Sequence, residues 1–196
     1  MGKQYDFNMA NPQDPPPVKL IVAVLFASRE ACDAARAAMT QLLDKIDFTS
    51  ETFDFDLTDY YVAEMGQPLY RVFLGFERLI DPGALATIKL ATNGIEAQFA
   101  NNGKRQVNLD PGYLDTDKFI LASAKPNAQK IYLAHGIWAD PTLRYEKGRY
   151  LPFPWSFPDF RSGRYQNTFM RLRDLYKKKR PEVHIKSPTR TSRNPK

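Results

Sequence analysis

Three short segments of this 196-residue chain carry charged and amide side chains of the types that bind small ligands. They lie within residues 60–77, 89–96 and 105–110. Arginine and lysine pair with oxyanions, and carboxylates hold divalent cations, so such a set would bind an anion or a metal-bound phosphate. The cofactor is left unidentified, and Mg²⁺ is compatible with this chemistry. The predicted ligand-binding residues are Arg71, Glu77, Lys89, Asn93, Glu96, Arg105, Asn108 and Asp110.

Each segment also has a simpler interpretation, and only convergence in space would favour a pocket. Residues 89–96 have the spacing of one helical face, which is also typical of a solvated helix surface. The Asp-Pro-Gly sequence at 110–112 favours a tight turn by itself. Arg105 and Asn108 are three residues apart on a predicted strand, which places them on opposite faces. We therefore expect at most one of these two to share a pocket with the helix face.

Motifs for common cofactors are absent from the sequence. Neither G-x-x-x-x-G-K-[ST] nor G-x-G-x-x-G occurs, which argues against the standard nucleotide and NAD loops. Two histidines, His135 and His184, are too few for a histidine-built zinc site, and there is no haem motif. A Ser-His-Asp triad would depend on His135, which no G-x-S-x-G sequence accompanies. We therefore predict no zinc, haem or NAD.

The elements that must position the polar segments begin with a buried strand and a helix. A nearly continuous apolar run at 18–27 predicts a central strand covered on both faces. Ser28 is a suitable N-cap for the helix that follows, and Glu30 suits its first turn. The predicted apolar face of this helix comprises Cys32, Ala35, Met39, Leu42 and Ile46.

The order of predicted elements up to residue 112 is β-α-β-β-α-β, which is the order of the ferredoxin-like fold. We therefore expect an α+β protein in which both helices cover one face of an antiparallel sheet. The elements after the first helix are strands at 53–57, 69–76 and 105–109, and a second helix that Asp81-Pro82 opens.

A further β region and a final helix are predicted beyond this unit. Residues 118–124 and 130–137 look like a hairpin, and 142–150 looks like a smaller one. The stretch 150–160 alternates proline with aromatic residues, so it is neither a helix nor a central strand. The last helix is predicted at 163–179, with an apolar face of aromatic residues and leucine.

We expect a flexible proline-rich leader over 1–17, a single α+β domain over 18–176 and a basic, disordered tail over 177–196. The net charge is +6, and the tail has eight basic residues against one acidic residue, so the rest is nearly neutral. Such a tail either contacts the phosphates of a nucleic acid or is a solvated terminus. The candidate nucleic-acid contacts are Lys177, Lys178, Lys179 and Arg180.

The cellular setting is predicted from what the sequence lacks. Cys32 is the only cysteine, so the chain forms no internal disulfide, and we expect it to be a small core residue. There is no apolar run of 18 residues and no secretory signal. We therefore expect a cytoplasmic protein with no membrane contact, and the oligomeric state is left open.

The chain resembles a bacterial domain-of-unknown-function family, DUF4416, over about residues 18–176. The most specific shared segment is Asn-Leu-Asp-Pro-Gly-Tyr at 108–113. The other shared segments are Tyr-Tyr-x-x-Glu-Met-Gly at 60–66, Lys-Ile-Tyr-Leu at 130–133, Gly-Ile-Trp at 136–138 and Leu-Pro-x-Pro-Trp-Ser-x-Pro-Asp at 151–159. The resemblance implies one compact domain and no particular mechanism.

The leading hypothesis is a polar pocket for a small anionic ligand that contains a phosphate or a nucleotide, with enzymatic activity left open. The first alternative is a nucleic-acid-binding accessory protein that uses the basic end of the chain. The second is a non-catalytic interaction protein whose proline-aromatic stretch is the docking surface.

Overall fold

The computed structural model describes residues 11–180, which form an α+β structure around one antiparallel sheet. The α+β class expected from the sequence is thereby confirmed. The strands are β1 (Val18–Phe26), β2 (Ile46–Thr49), β3 (Phe53–Asp54), β4 (Tyr70–Ile80), β5 (Val107–Leu114), β6 (Lys118–Ser123), β7 (Ile131–Ala134), β8 (Ile137–Glu146) and β9 (Arg149–Pro152). The helices are α1 (Arg29–Leu42), α2 (Val62–Met65), α3 (Leu85–Gln98), α4 (Pro158–Arg161) and α5 (Gln166–Lys179).

The strand order in the sheet is β2-β4-β1-β5-β6-β8-β7, with β3 also paired to β4 and β9 to β8. Every pairing is antiparallel. β1 lies between β4 and β5, and each of its nine residues is buried. Its apolar sequence, interrupted only by Lys19, therefore has the expected cause, because both faces of the sheet are covered at this point.

One face of the sheet is covered by α1 and α3. Ser28 caps α1 by accepting a hydrogen bond from the Ala31 N–H, and Asp81 accepts one from Gly83 just before α3. The buried side of α1 comprises Cys32, Ala35 and Met39. Burial raises the pKa of the Cys32 thiol to about 11, as expected for a core residue.

The predicted face of α1 is wrong at its C-terminal end. The helix ends at Leu42, whose side chain is exposed, and Ile46 begins β2 instead of continuing the helix. Apolar residues at helical spacing continued past the end of the helix, so periodicity alone did not reveal the new strand.

The opposite face of the sheet is covered by α5. Its residues Phe169 and Leu172 are fully buried against Phe73 of β4 and Phe119 of β6. The Phe73 and Phe169 rings meet edge to face, with 5.3 Å between centroids. The two helices of the predicted β-α-β-β-α-β unit, α1 and α3, therefore share one face as expected, and α5 lies on the other face.

Several predicted strands change their limits or partners. The predicted strand at 53–57 is reduced to Phe53–Asp54, and the predicted strand at 105–109 is replaced by β5. β6 pairs with β8 and not with β7, so the predicted hairpin of 118–124 with 130–137 is wrong. β7 and β8 form the hairpin instead, because His135 and Gly136 both have positive φ and make a tight turn.

The last helix extends into the basic segment. Lys177–Lys179, which the sequence interpretation assigned to a disordered tail, form the final turn of α5. Residues 181–196 of that tail and residues 1–10 of the predicted leader lie outside the described residues. Within the described part of the chain, no helix is long and apolar enough to cross a membrane.

Candidate functional site

A cleft opens where β5 and β6 separate. These strands pair only through Gly112–Leu114 and Phe119–Leu121, and the preceding residues of β5 pair with β1 alone. Where they do pair, the two strands approach each other very closely, since a Cβ on Gly112 would lie 2.4 Å from the Ile120 carbonyl oxygen. The cavity beside it has a volume of about 300 Å³. Seven of the eight predicted ligand-binding residues line this cavity: Arg71, Lys89, Asn93, Glu96, Arg105, Asn108 and Asp110.

Two side chains of α3 take the place of the missing neighbour of β5. Lys89 Nζ donates to the Leu109 carbonyl oxygen at 2.7 Å, and Glu96 Oε1 accepts from the Leu109 N–H at 2.7 Å. Lys89 Nζ also lies 3.4 Å from Asp110 Oδ1. These charged side chains are almost fully buried, so the interpretation of 89–96 as a solvated helix face is wrong for them.

Arg105 connects three elements of the cleft wall. Its Nη2 donates to Glu64 Oε2 at 2.7 Å, and its Nε donates to the other oxygen of the same carboxylate. On the opposite side of the guanidinium, Nη1 donates to Glu96 Oε2 at 3.1 Å and to Asn108 Oδ1. The Arg105 guanidinium lowers the pKa of the Glu64 carboxyl through these hydrogen bonds.

The expectation that Arg105 and Asn108 lie on opposite faces is wrong. Arg105 precedes β5, which begins at Val107, so strand alternation does not apply to it. In a continuous sheet, backbone would separate side chains on the two faces. Residues of β5 before Gly112 have no strand beside them on the β6 side, so side chains from both faces can meet in the gap there. Lys89 and Glu96 reach into this gap from the α3 side, while Asn108 points to the other side.

Asp110 is a strand residue, so its interpretation as a turn former is wrong. Asn108 Nδ2 donates to Asp110 Oδ2 at 2.6 Å, as two residues on the same face of a strand can. The Asp110 side chain is 22% exposed and lines the cavity. The carboxylate is therefore held at the cleft by its neighbours and remains accessible to a ligand.

The facing wall comes from β6, β8 and the connection after β6, none of which we predicted to contribute. Lys130 Nζ donates to Ser123 Oγ at 2.8 Å and lies 3.4 Å from Asp140 Oδ2. Burial raises the pKa of Asp140, although the Lys130 ammonium opposes this change. Lys125 Nζ donates to the Tyr60 hydroxyl and forms no ion pair with a carboxylate of residues 11–180.

The floor of the cleft includes a buried ion pair. Arg71 Nη1 lies 3.0 Å from Asp159 Oδ2, and the Tyr165 hydroxyl donates to the same oxygen at 2.9 Å. The Arg71 guanidinium also lies over the Phe55 ring, 4.7 Å from its centroid. Arg71 Nε and Asp159 Oδ1 are buried with no hydrogen-bond partner among the described residues.

Glu77, the eighth predicted residue, lies outside the cleft. It is half-exposed and pairs with Lys45 and Lys179, each with 3.5 Å between nitrogen and oxygen. Lys179 also donates to Asp47 Oδ2 at 3.2 Å, so this predicted nucleic-acid contact has carboxylate partners in the fold. Lys177, Lys178 and Arg180 are exposed.

Sequence reasoning missed the cleft residues that come from the C-terminal half. Lys125 and Lys130 flank a Pro-Asn turn and look like ordinary loop residues. Asp159 lies in α4, far in sequence from its partner Arg71. The expectation that 150–160 contains no helix is wrong at its end, because Pro158 begins α4 and proline is tolerated in a first helical turn. Because Arg71 interrupts an apolar strand, a buried ion pair could have been expected at this position. Nothing in the neighbouring sequence identifies Asp159 as its partner.

No metal centre is evident in the described part of the chain. Residues 11–180 contain no group of three or more histidine, cysteine, aspartate or glutamate side chains placed to hold a metal ion.

Comparison with known proteins gives one match. No curated protein and no solved structure is significantly similar to the chain. The family described as Domain of unknown function (DUF4416) matches residues 16–176, which include every residue that lines the cleft. The chain therefore belongs to the DUF4416 family.

Proposed function

We propose that the cleft beside β5 binds a small anionic ligand, of a class that carries a phosphate or a carboxylate. Five cationic side chains line the cavity against three carboxylates, and four of the five already have carboxylate partners. Lys125 is the fifth, and its contacts are the hydroxyl and the ring of Tyr60. Lys125 is exposed, so water solvates its ammonium group in the free protein. Its place on the cavity lining without a carboxylate partner is the observation that carries the proposal, because an anion in the cleft can pair with it.

The shape of the cleft also suits a small molecule. Its volume of about 300 Å³ is at the lower end of the range for ligand pockets. Tyr60, Tyr61 and Phe157 provide an aromatic side, and the carboxylates of Asp110 and Asp140 provide acceptors. A ligand with one anionic group and several hydroxyl or amino donors, such as a sugar phosphate, would match this distribution.

We also propose that residues 18–114 form a ferredoxin-like unit that supports the cleft. The strand order β2-β4-β1-β5 and the placement of α1 and α3 between strands support this assignment. In this arrangement β5 is the edge strand of the unit, and β6 extends the sheet beyond it. The cleft would then lie at the boundary between the unit and its extension.

A thermal-shift panel tests the binding proposal. Phosphate, sugar phosphates, nucleotides and small carboxylates, each with and without Mg²⁺, are added to the wild type and to Lys125→Met. The matched control is Lys45→Met, which removes a 76% exposed lysine far from the cleft. We expect one ligand class to stabilise the wild type and the control equally, by about 2.7 kcal/mol at 100 times Kd.

Lys125→Met should lose most of that stabilisation without a change in the melting temperature of the unliganded protein. A full response in Lys125→Met would contradict the role of this lysine. A flat response of the wild type to the whole panel would contradict the binding proposal and favour the interaction-protein hypothesis, for which the exposed Trp155 and Phe157 are the relevant surface.

Nucleic-acid binding is kept as a second candidate because Lys177, Lys178 and Arg180 are exposed at the end of α5. These positions would contact phosphates without reading sequence, so binding would depend steeply on salt.

A further inference from the structure

We propose that the Glu64 carboxylate competes with the ligand for Arg105. Glu64 occupies the oxyanion position on the Arg105 guanidinium until the ligand displaces it. The proposal rests on the binding function proposed above and adds a regulatory contact to the same cleft. The chemistry of the competing group follows from the pair itself, because a guanidinium edge that binds one carboxylate through two hydrogen bonds also fits another carboxylate or a phosphate.

Arg105 is oriented independently of Glu64. Its Nη1 is held by Glu96 of α3 and by Asn108 of β5, both of which are buried. The opposite edge, formed by Nε and Nη2, therefore keeps its direction whether or not Glu64 is present. A rigidly presented edge of this kind is a preformed subsite for an oxyanion with two oxygens.

Glu64 comes from a short segment that forms one wall of the cleft. The segment, defined here as residues 58–66 and called the wall segment, contains the single turn of α2 and ends at Gly66 with φ of +82°. Buried Met65 anchors it against Leu25 and Leu69. Its side-chain hydrogen bonds to the rest of the cleft are Glu64 to Arg105 and Tyr60 to Lys125.

The two hydrogen-bonded contacts of the wall segment involve Arg105 and Lys125, the cationic side chains that a bound anion would contact. Arg105 is engaged by a carboxylate and Lys125 by a phenol, so displacement of the wall segment would release the two groups together. The Glu64 side chain is 38% exposed, so water can solvate its carboxylate once it leaves Arg105. A ligand with a two-oxygen anionic group forms the same pair of hydrogen bonds with Arg105, so the exchange costs little.

A purely structural tie would behave differently. If the Arg105–Glu64 pair only fastened the wall segment, its loss would leave ligand binding unchanged or weaken it, because the cleft would lose part of its wall. Competition predicts the opposite sign: removal of the Glu64 charge should tighten binding.

The test compares Glu64→Gln with Asp56→Asn in calorimetric titrations with inorganic phosphate and with malonate. Asp56 is a matched control because it also pairs with an arginine, Arg164 Nη1 at 2.8 Å, and lies in the same connection but not on the cleft. Both variants remove one negative charge. We expect Glu64→Gln to tighten binding of one or both probes by about two- to fivefold, and Asp56→Asn to leave it unchanged.

Two further measurements separate the possible failures. Arg105→Lys should weaken binding and cancel the gain from Glu64→Gln in the double variant, because lysine lacks the two-point edge. In the wild type, saturating probe should accelerate amide hydrogen exchange in the wall segment. Binding that is equal or weaker in Glu64→Gln than in the wild type would overturn the competition while leaving the binding function intact. Absence of binding by every variant would overturn the binding function itself.

Discussion

At the scale of single residues, the charged groups of the cleft divide into those that maintain the fold and those that remain for a ligand. Lys89 and Glu96 belong to the first group, because they satisfy the backbone groups of Leu109 that no strand pairs on that side. Lys125, Arg105 and Asp110 belong to the second, since each combines cleft exposure with partners that a ligand could supplement or replace.

The structural role of Glu96 gives a stability prediction. Glu96→Ala leaves the buried Leu109 N–H without an acceptor and Lys89 without one of its carboxylates, so we expect a loss of about 3 kcal/mol in the free energy of unfolding. Glu96→Gln keeps an acceptor and should lose less. The measurement is urea denaturation, and Asn93→Ala is the control, because Asn93 lines the same cleft from the same helix but makes neither of these hydrogen bonds. Equal stability of Glu96→Ala and the control would contradict the role.

The sequence identified seven of the residues that line the cleft, because polar side chains are concentrated in segments that otherwise have the apolar pattern of a core. The sequence interpretation wrongly included Glu77, which lies too far from the cleft along β4. Glu77 is six residues beyond Arg71 on β4, which places it about 20 Å away along the strand, too far to share a small cleft. The sequence does not indicate which part of β4 borders the cleft.

At the scale of secondary-structure elements, the starts of α1 and α3 were predictable and the partners of the strands were not. Ser28 and Asp81 act locally, through hydrogen bonds to backbone groups within three residues, so the sequence contains the whole signal. The pairing of β6 with β8 depends instead on the tight turn at His135 and Gly136, which turns what looked like one strand into a hairpin. The separation of β5 from β6, which creates the cleft, has no counterpart in the apolar pattern.

The close contact at Gly112 gives a prediction for this pair of strands. Gly112→Ala would place a Cβ against the Ile120 backbone, which cannot move without breaking the β5–β6 pairing. We expect a loss of at least about 2 kcal/mol, measured by chemical denaturation. Gly94→Ala is the matched control: Gly94 is inside α3 with no atom within 4 Å of the added methyl group, so alanine there should stabilise by about 1 kcal/mol. Similar effects at the two positions would show that the strand contact is not restrictive.

At the scale of the whole molecule, charge is distributed unevenly, and this separates the two candidate functions. Residues 177–196 contain eight of the 28 basic residues and one of the 22 acidic residues, so the rest of the chain has a net charge near −1. The cleft is part of that nearly neutral body. Binding of a small anion therefore depends on local arrangement, whereas binding of a polyanion would depend on the basic end.

A chain that ends at Arg180 tests this separation. It keeps α5 and the contacts of Lys179 with Asp47 and Glu77, and it removes four of the basic residues. If the basic end binds nucleic acid, the shortened chain should bind a DNA duplex more weakly, and the slope of log K against log salt should become less steep by up to about 4. Its melting temperature and its thermal response to the cleft ligand should match those of the full chain. Unchanged DNA binding would require a basic surface on the body, which its charge does not favour, and a lost cleft response would mean that the basic end contributes to the small-ligand site.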